Sequence, residues 1–171
     1  MKKRFILILL YCGAVFGAEP LQLATTPEAF QKWVGAKNAE FLAAGGPKNV
    51  PAFRLTCPDA AKSVLCSLPL ELKTYAGKLI IFSADIRLDG IQKPSKSYYG
   101  LKLMIVYTRA DGTKHWAEDL KPKDRYGSRD WDAYEAIAKV PADARDVCLS
   151  FGIQQATGCA EFANLTIEEV K

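Results

Sequence analysis

Ile80-Ile81-Phe82-Ser83-Ala84-Asp85-Ile86-Arg87-Leu88-Asp89 is the stretch that decides the fold class. Ile80, Phe82, Ala84, Ile86 and Leu88 fall on one phase of a two-residue period, and Ile81, Ser83, Asp85, Arg87 and Asp89 fall on the other. Successive side chains of a strand point to opposite faces, so this alternation describes a strand with one face buried. Leu101, Leu103, Ile105 and Tyr107 repeat it against Lys102, Met104, Val106 and Thr108, and Val147, Leu149, Phe151 and Ile153 continue it. Asp111-Gly112, between Tyr107 and Trp116, marks a tight hairpin, because glycine accepts the positive φ of such a turn. Working outward, strands are expected over 53–57, 63–72, 78–89, 99–108, 113–120, 132–140, 146–153 and 159–169. About eight short antiparallel strands separated by turns make an all-β, two-sheet antiparallel β-sandwich, and the eight-stranded form common in lectins is the jelly roll.

Ahead of the strands the pattern differs. Thr25 or Thr26, then Pro27 and Glu28, give a helix-start signal, and Phe30, Val34 and Phe41 recur near helical spacing until Gly45-Gly46-Pro47 ends the run. One short N-terminal helix is expected there. Further upstream, the basic head Lys2-Lys3-Arg4, the apolar run Phe5 to Phe16 and the small residues Gly17 and Ala18 have the three-part layout of a secretory signal. The run is shorter than the roughly 20 residues a spanning helix needs, which excludes permanent membrane insertion. Lipoprotein anchoring through Cys12 needs a small residue before the cysteine, and Tyr11 is bulky. The chain is therefore expected to be secreted or periplasmic, with a signal peptide over 1–18, an N-terminal segment over 19–50 packed on the sandwich, and a β-sandwich domain over 51–171.

The formal charge of +4 comes from 23 basic and 19 acidic residues; removing Lys2, Lys3 and Arg4 leaves 20 against 19. That balance has no clustered basic face, and nucleic acid is excluded as a partner. Export also leaves four cysteines, Cys57, Cys66, Cys148 and Cys159, an even number that suggests two disulfide bonds. Of the three connectivities, Cys57–Cys66 and Cys148–Cys159 is the simplest, since each pair brackets an expected turn. Neither pair has zinc-knuckle spacing, and the sequence holds a single histidine, so zinc is not expected.

Gly127-Ser128-Arg129-Asp130-Trp131, Val140-Pro141-Ala142-Asp143-Ala144 and Gly158-Cys159-Ala160-Glu161-Phe162-Ala163-Asn164-Leu165 follow one another as strand, turn and strand. With Gly77 to Arg87 upstream, they resemble the strands of jelly-roll carbohydrate-binding modules of the galactose-binding-like superfamily over about residues 50 to 170. The family pattern is Gly-Thr-x-Asp-Trp, Val-Pro-x-x-Ala and Gly-x-x-x-Phe-Asp-Asp/Asn-Val. The resemblance implies a jelly roll, a glycan ligand, and Trp131 in the core at the opening of a strand. It also implies a structural calcium held by the first aspartate of the last motif. Ala163 takes that position, and calcium needs six to eight oxygens, so no cofactor is expected.

No catalytic set is assembled. His115 is the one histidine, and no Gly-x-Ser-x-Gly surrounds a serine. Asp85, Asp89, Glu118, Asp119 and Glu161 are available to a glycosidase, but the sequence does not pair them across a cleft. A binding surface remains. Sugars present flat apolar faces, which aromatic platforms suit. Tyr98, Tyr99, Trp116 and Tyr126 fall near expected strand ends, while Arg87, Lys102 and Gln154 lie on the phase opposite the apolar residues and point away from the core. The same residues serve equally as edge packing and surface charge. The expected function is non-catalytic binding of a polysaccharide or oligosaccharide, with a separate polysaccharide-degrading or envelope protein as a further partner. The alternatives are an envelope structural or protein-interaction sandwich without a sugar site, and a small jelly-roll polysaccharide-degrading enzyme.

Overall fold

The computed structural model describes residues 20–170 apart from Thr25, so the expected leader over 1–18, with Cys12, lies outside the described residues. In chain order the elements are β1 (Leu21–Gln22), α1 (Pro27–Phe30), β2 (Ala39–Leu42), β3 (Ala52–Cys57), β4 (Ser63–Pro69), α2 (Leu72–Tyr75), β5 (Leu79–Ile91), β6 (Gly100–Thr108), β7 (Lys114–Ala117), β8 (Gly127–Lys139), β9 (Asp146–Gln154) and β10 (Gly158–Val170). They form two antiparallel sheets, a larger one in the order β2-β3-β10-β5-β8 and a smaller one in the order β4-β9-β6-β7. The long strand β10 shares one edge between two partners: β3 pairs with its first half, Gly158 to Ala163, and β1 with Thr166 and Ile167. The two-sheet jelly-roll sandwich expected from the alternating pattern is the observed architecture.

The expected helix shrinks to one turn. Thr26 Oγ1 accepts the Ala29 N–H at 3.3 Å and Pro27 supplies a preset φ, which is enough to start α1. Phe30 then turns into the core, whereas Val34 forms a bridge with Ser67 beside β4 and Phe41 belongs to β2. The apolar spacing that mimics one helix thus comes from three separate elements. Gly35 makes the reversal at φ +88°, where an added Cβ would stand 2.3 Å from the Leu65 carbonyl oxygen. Further along, the strand expected over 63–72 ends at Pro69 and yields to α2, and β8 begins already at Gly127.

The core lies between the sheets and is built around stacked aromatics. Phe30 and Phe53 are 3.9 Å apart between centroids, Phe151 and Phe162 4.5 Å, and Trp33 meets Phe151 edge-on at 5.2 Å. Each such side chain removed from water contributes about 1.5–3 kcal/mol before the entropy of ordering it is counted. At the edge of the larger sheet, Asp119 Oδ2 accepts the Ile137 N–H of β8 at 3.1 Å.

The disulfides expected at Cys57–Cys66 and Cys148–Cys159 are not formed; all four thiols are free. Register explains why. Cys148 lies opposite Pro69 and Val106 in the smaller sheet, whereas Cys159 lies opposite Thr56 and Asp89 in the larger. Six residues of β9 separate Cys148 from the turn after Gln154, about 20 Å at the usual rise, well beyond the roughly 7 Å limit between bridged Cα atoms. Cys57 and Cys66 both belong to the core, on strands of opposite sheets, and their thiols are turned to different backbone carbonyls rather than to each other. The Cys57 thiol donates instead to the carbonyl oxygens of Asp59 and Lys62, and Cys66 to that of Gly35. A pair of cysteines flanking a turn need not face each other when the turn carries the chain from one sheet to the other.

Candidate functional site

The outer face of the smaller sheet is ordered in transverse rows. Trp116, Val106, Cys148 and Pro69 form one row across β7, β6, β9 and β4; Met104, Ser150 and Ser67 form the next, and Lys102, Gly152 and Leu65 another. Gly100, Gln154 and Ser63 close the face, and Tyr98 and Tyr99 immediately precede Gly100 in the chain. Val106 and Gly100 are six residues apart on β6, so the rows carrying Trp116 and Gln154 stand about 20 Å apart. Trp116 is 58% exposed and Tyr98 50%. Between them the floor is low: Ser67 Oγ donates to Ser150 Oγ at 2.9 Å, and Met104, Val106 and Gly152 are buried.

Lys102 points away from the core as expected, yet its side chain is only 4% exposed. Its Nζ lies 3.1 and 3.0 Å from the two carboxylate oxygens of Glu118, and Arg125 Nη1 donates to the same carboxylate at 2.9 Å. Arg125 Nη2 also donates to the Leu120 carbonyl at 2.7 Å. Two cations thus share one anion in a mostly buried place. Burial lowers the Lys102 ammonium below its ordinary value, and Glu118 partly restores it. Gly100 makes the arrangement fit. At φ +96°, its missing Cβ leaves room for the Arg125 carbonyl oxygen, which would stand 2.3 Å from it.

Above this cluster, Tyr98 and Tyr99 pack edge to face at 4.7 Å, and the Lys96 ammonium lies 5.6 Å from both ring centroids. Lys96, hydrogen-bonded to the Tyr98 hydroxyl, holds that phenol below its usual range, with smaller help from Tyr99 and Lys102. Tyr98, Lys102, Trp116 and Gln154 therefore share one face, with Tyr99 at its margin. Tyr126 is different: it packs against the core, with the Lys93 ammonium 5.9 Å from its ring.

Arg87 is on the other sheet. Glu40, Arg54, Glu161 and Arg87 stand in register across β2, β3, β10 and β5 on the outer face of the larger sheet. Glu161, with 5% of its side chain exposed, takes Arg54 Nε and Nη2 at 2.9 and 2.7 Å on Oε1. Its Oε2 lies 2.5 Å from Arg87 Nη2 as an ion pair, off the line of a hydrogen bond. Trp131, expected in the core, is half-buried on this outer side, with the Arg87 guanidinium 5.4 Å from its ring centroid. Two-residue alternation does not reveal this, because β8 is bulged between Arg129 and Asp132 and its phase shifts there.

Of the groups considered for catalysis, Asp89 and Glu161 line one cleft on the larger sheet, and the others are dispersed. His115 stacks flat on Tyr107 at 5.2 Å. Asp85 accepts from Asn164, Asp119 from Ile137, Glu118 is held by Lys102 and Arg125, and Glu161 by the two arginines. The residues present do not fit the family's calcium either. Ala163 brings no oxygen, and Asn164 turns its amide N–H toward Asp85 Oδ2 at 2.7 Å, where a cation would need an acceptor. Among the described residues no three His, Cys, Asp or Glu side chains gather as ligands, and no helix is long and apolar enough to cross a membrane.

No family profile and no curated protein matches the chain by sequence. Solved structures do match in fold. A family 16 carbohydrate-binding module superposes with a TM-score of 0.61 at 16% identity, over 88% of this chain and 99% of that one. The C-terminal family 22 module of Clostridium thermocellum Xyn10B gives 0.58 at 16%, over 90% and 92%. The CBM22-1 xylan-binding domain of Paenibacillus barcinonensis Xyn10C gives 0.56 at 12%, over 78% and 81%. Against the two-module CBM22-1–GH10 chain of the Clostridium enzyme, the match covers 83% of this chain but spans only 27% of the other. The fold is the jelly-roll sandwich of carbohydrate-binding modules.

Proposed function

We propose that this domain binds an oligosaccharide or polysaccharide, without cleaving it, along the outer face of its smaller sheet. The observation that carries the reading is the pair of exposed rings, Trp116 and Tyr98, at opposite ends of one sheet face with a low floor between them. Rings placed so give a flexible chain stacking surfaces at the two ends of a face whose outermost rows stand about 20 Å apart, an extent that suits several linked sugars rather than one. Lys96, Tyr99 and Gln154 supply polar groups beside them. Lys102, Glu118 and Arg125 act beneath, fixing the strand and loop that carry the rings. Export follows from the leader-like N-terminus, which would place the domain where polysaccharides occur. A non-catalytic role is supported by four of the five candidate carboxylates, Asp85, Glu118, Asp119 and Glu161, being held by partners within the fold.

The test is calorimetry after a broad glycan array, with xylan oligosaccharides included because the fold neighbours include a xylan-binding domain. Trp116→Ala and Tyr98→Ala should each weaken binding by about tenfold or more while leaving the circular dichroism unchanged. Failure of the folded protein to bind any glycan favours the interaction-domain reading, for which Val34, 66% exposed beside β4, offers an apolar contact. Shortening of a bound glycan favours the enzyme.

A further inference from the structure

The larger sheet carries a cleft of about 840 Å³ on its outer face, within the usual size range of small-molecule sites. Two compensating bulges open it. Between the pairs Ile86–Asp132 and Leu88–Arg129, β8 has one residue more than β5; between Leu88–Arg129 and Ile91–Gly127, β5 has one more than β8. Bulges bend strands apart and re-aim side chains, and here they spread β5 and β8 beside Arg87. Ser128 Oγ takes the Gly90 N–H at 2.9 Å, tying β5 to β8 within the second bulge.

The charges lining the cleft cancel: Arg54, Arg87 and Arg129 against Asp89, Asp130 and Glu161. Most of them are already committed. Arg129 is held by Asp124, Tyr134 and the Lys123 carbonyl, and Arg54 by Glu40 and Glu161. Arg87 is fixed from two sides, by Glu161 and by the Trp131 ring, but among the described residues only its Nη2 is engaged. A guanidinium carries five N–H donors, so several remain to face the cleft. Asp89 is exposed and makes no hydrogen bond among the described residues, and Asp130 uses only Oδ1, for the Trp131 N–H. Rigid unspent donors therefore stand beside unspent carboxylate acceptors without net charge.

We propose that this cleft is a second carbohydrate site, independent of the Trp116 face and selective for a neutral sugar. Each hydroxyl of a vicinal pair can accept from Arg87 and donate to Asp89 or Asp130, a match that a ligand with only acceptors or only donors does not offer. A lining whose charges sum to zero adds no net long-range attraction for a charged ligand, which at close range meets like charges as well as opposite ones.

The experiment follows backbone amide signals of the full domain by NMR during titration with xylotriose, cellotriose, mannotriose and galactobiose, with a glucuronic acid disaccharide for comparison. At least one neutral sugar should shift the Asp89, Ser128 and Cys159 amides saturably, in the wild type and equally in Trp116→Ala. Arg87→Ala and Asp89→Asn should each weaken that binding by about tenfold, the loss of one charged hydrogen bond. Asp89 is solvent-exposed, so its variant stays interpretable if Arg87→Ala unfolds. The proposal is overturned if none of the neutral sugars shifts these amides at millimolar concentration, if only the charged disaccharide does, or if the shifts survive Asp89→Asn. Absence of any shift around Trp116 in the wild type, with these shifts present, would sink the first surface and leave this one standing.

Discussion

Lys102 meets both carboxylate oxygens of Glu118, at 3.1 and 3.0 Å, in a place where Arg125 contacts the same carboxylate and little water reaches. One anion balances two cations there, so the partners are not equivalent: losing Glu118 leaves two like charges facing each other, whereas losing Lys102 leaves a matched pair.

Glu118→Gln should therefore cost about 3–5 kcal/mol in urea unfolding, the range for breaking a buried ion pair, while Lys102→Met should be neutral or stabilising at pH 7. The pH dependence has a definite sign. Burial depresses the folded-state value of Lys102 below its ordinary 10.5, so its charge opposes folding at neutral pH, and that cost is relieved as pH rises through the depressed value toward 10.5. Any advantage of Lys102→Met should narrow over that interval. An advantage that widens would show the ammonium to be stabilising.

Alkylation mapping under non-reducing conditions should find Cys57, Cys66, Cys148 and Cys159 all free. Burial pushes the Cys66 thiol up to about 12, so almost no thiolate exists at pH 8 and its labelling should wait for unfolding. Cys159, partly exposed on the outer face of the larger sheet, should react sooner. A peptide linking any two of them would overturn the free-thiol structure.

Gly100→Ala should destabilise the domain by about 1–3 kcal/mol, because alanine is strained at φ +96° and its methyl would strike the Arg125 carbonyl. Binding on the Trp116 face should weaken as well, since that segment positions Arg125 and, through Glu118, Lys102. A stable variant with wild-type melting would refute the close approach.

A thermal scan with millimolar calcium should match one with chelator. A ligand bound only by the folded state raises the melting temperature by mass action. A rise of several degrees would mean that other oxygens replace what Ala163 lacks.

The strands were readable because burial on one face imposes a period of two, and Ile80 to Leu88 or Leu101 to Tyr107 show it without interruption. The N-terminal segment was not, because Phe30, Val34 and Phe41 serve three different elements and their spacing is accidental. Cysteine pairing failed for a related reason: proximity along the chain says nothing about which sheet each strand joins. Outward direction was legible for Lys102 and Gln154, but exposure was not, since it depends on Glu118 and Arg125 arriving from a later loop. Arg54, Glu161 and the cleft at Arg87 were missed as a group. Their signal was there in three charged residues on outward phases, yet only strand order places 54, 161 and 87 side by side.

The hydrogen bond from the Ile137 N–H to Asp119 has a bearing on how copies of this protein would coexist. A domain gathered on a polymer reaches local concentrations far above those in free solution, where open strand edges invite one molecule to zip onto the next. Asp119 occupies one of the outward-facing donors of β8 with a charged acceptor, and a neighbour's strand would have to displace it while confronting that charge. One side chain at the rim thus helps keep crowded molecules separate.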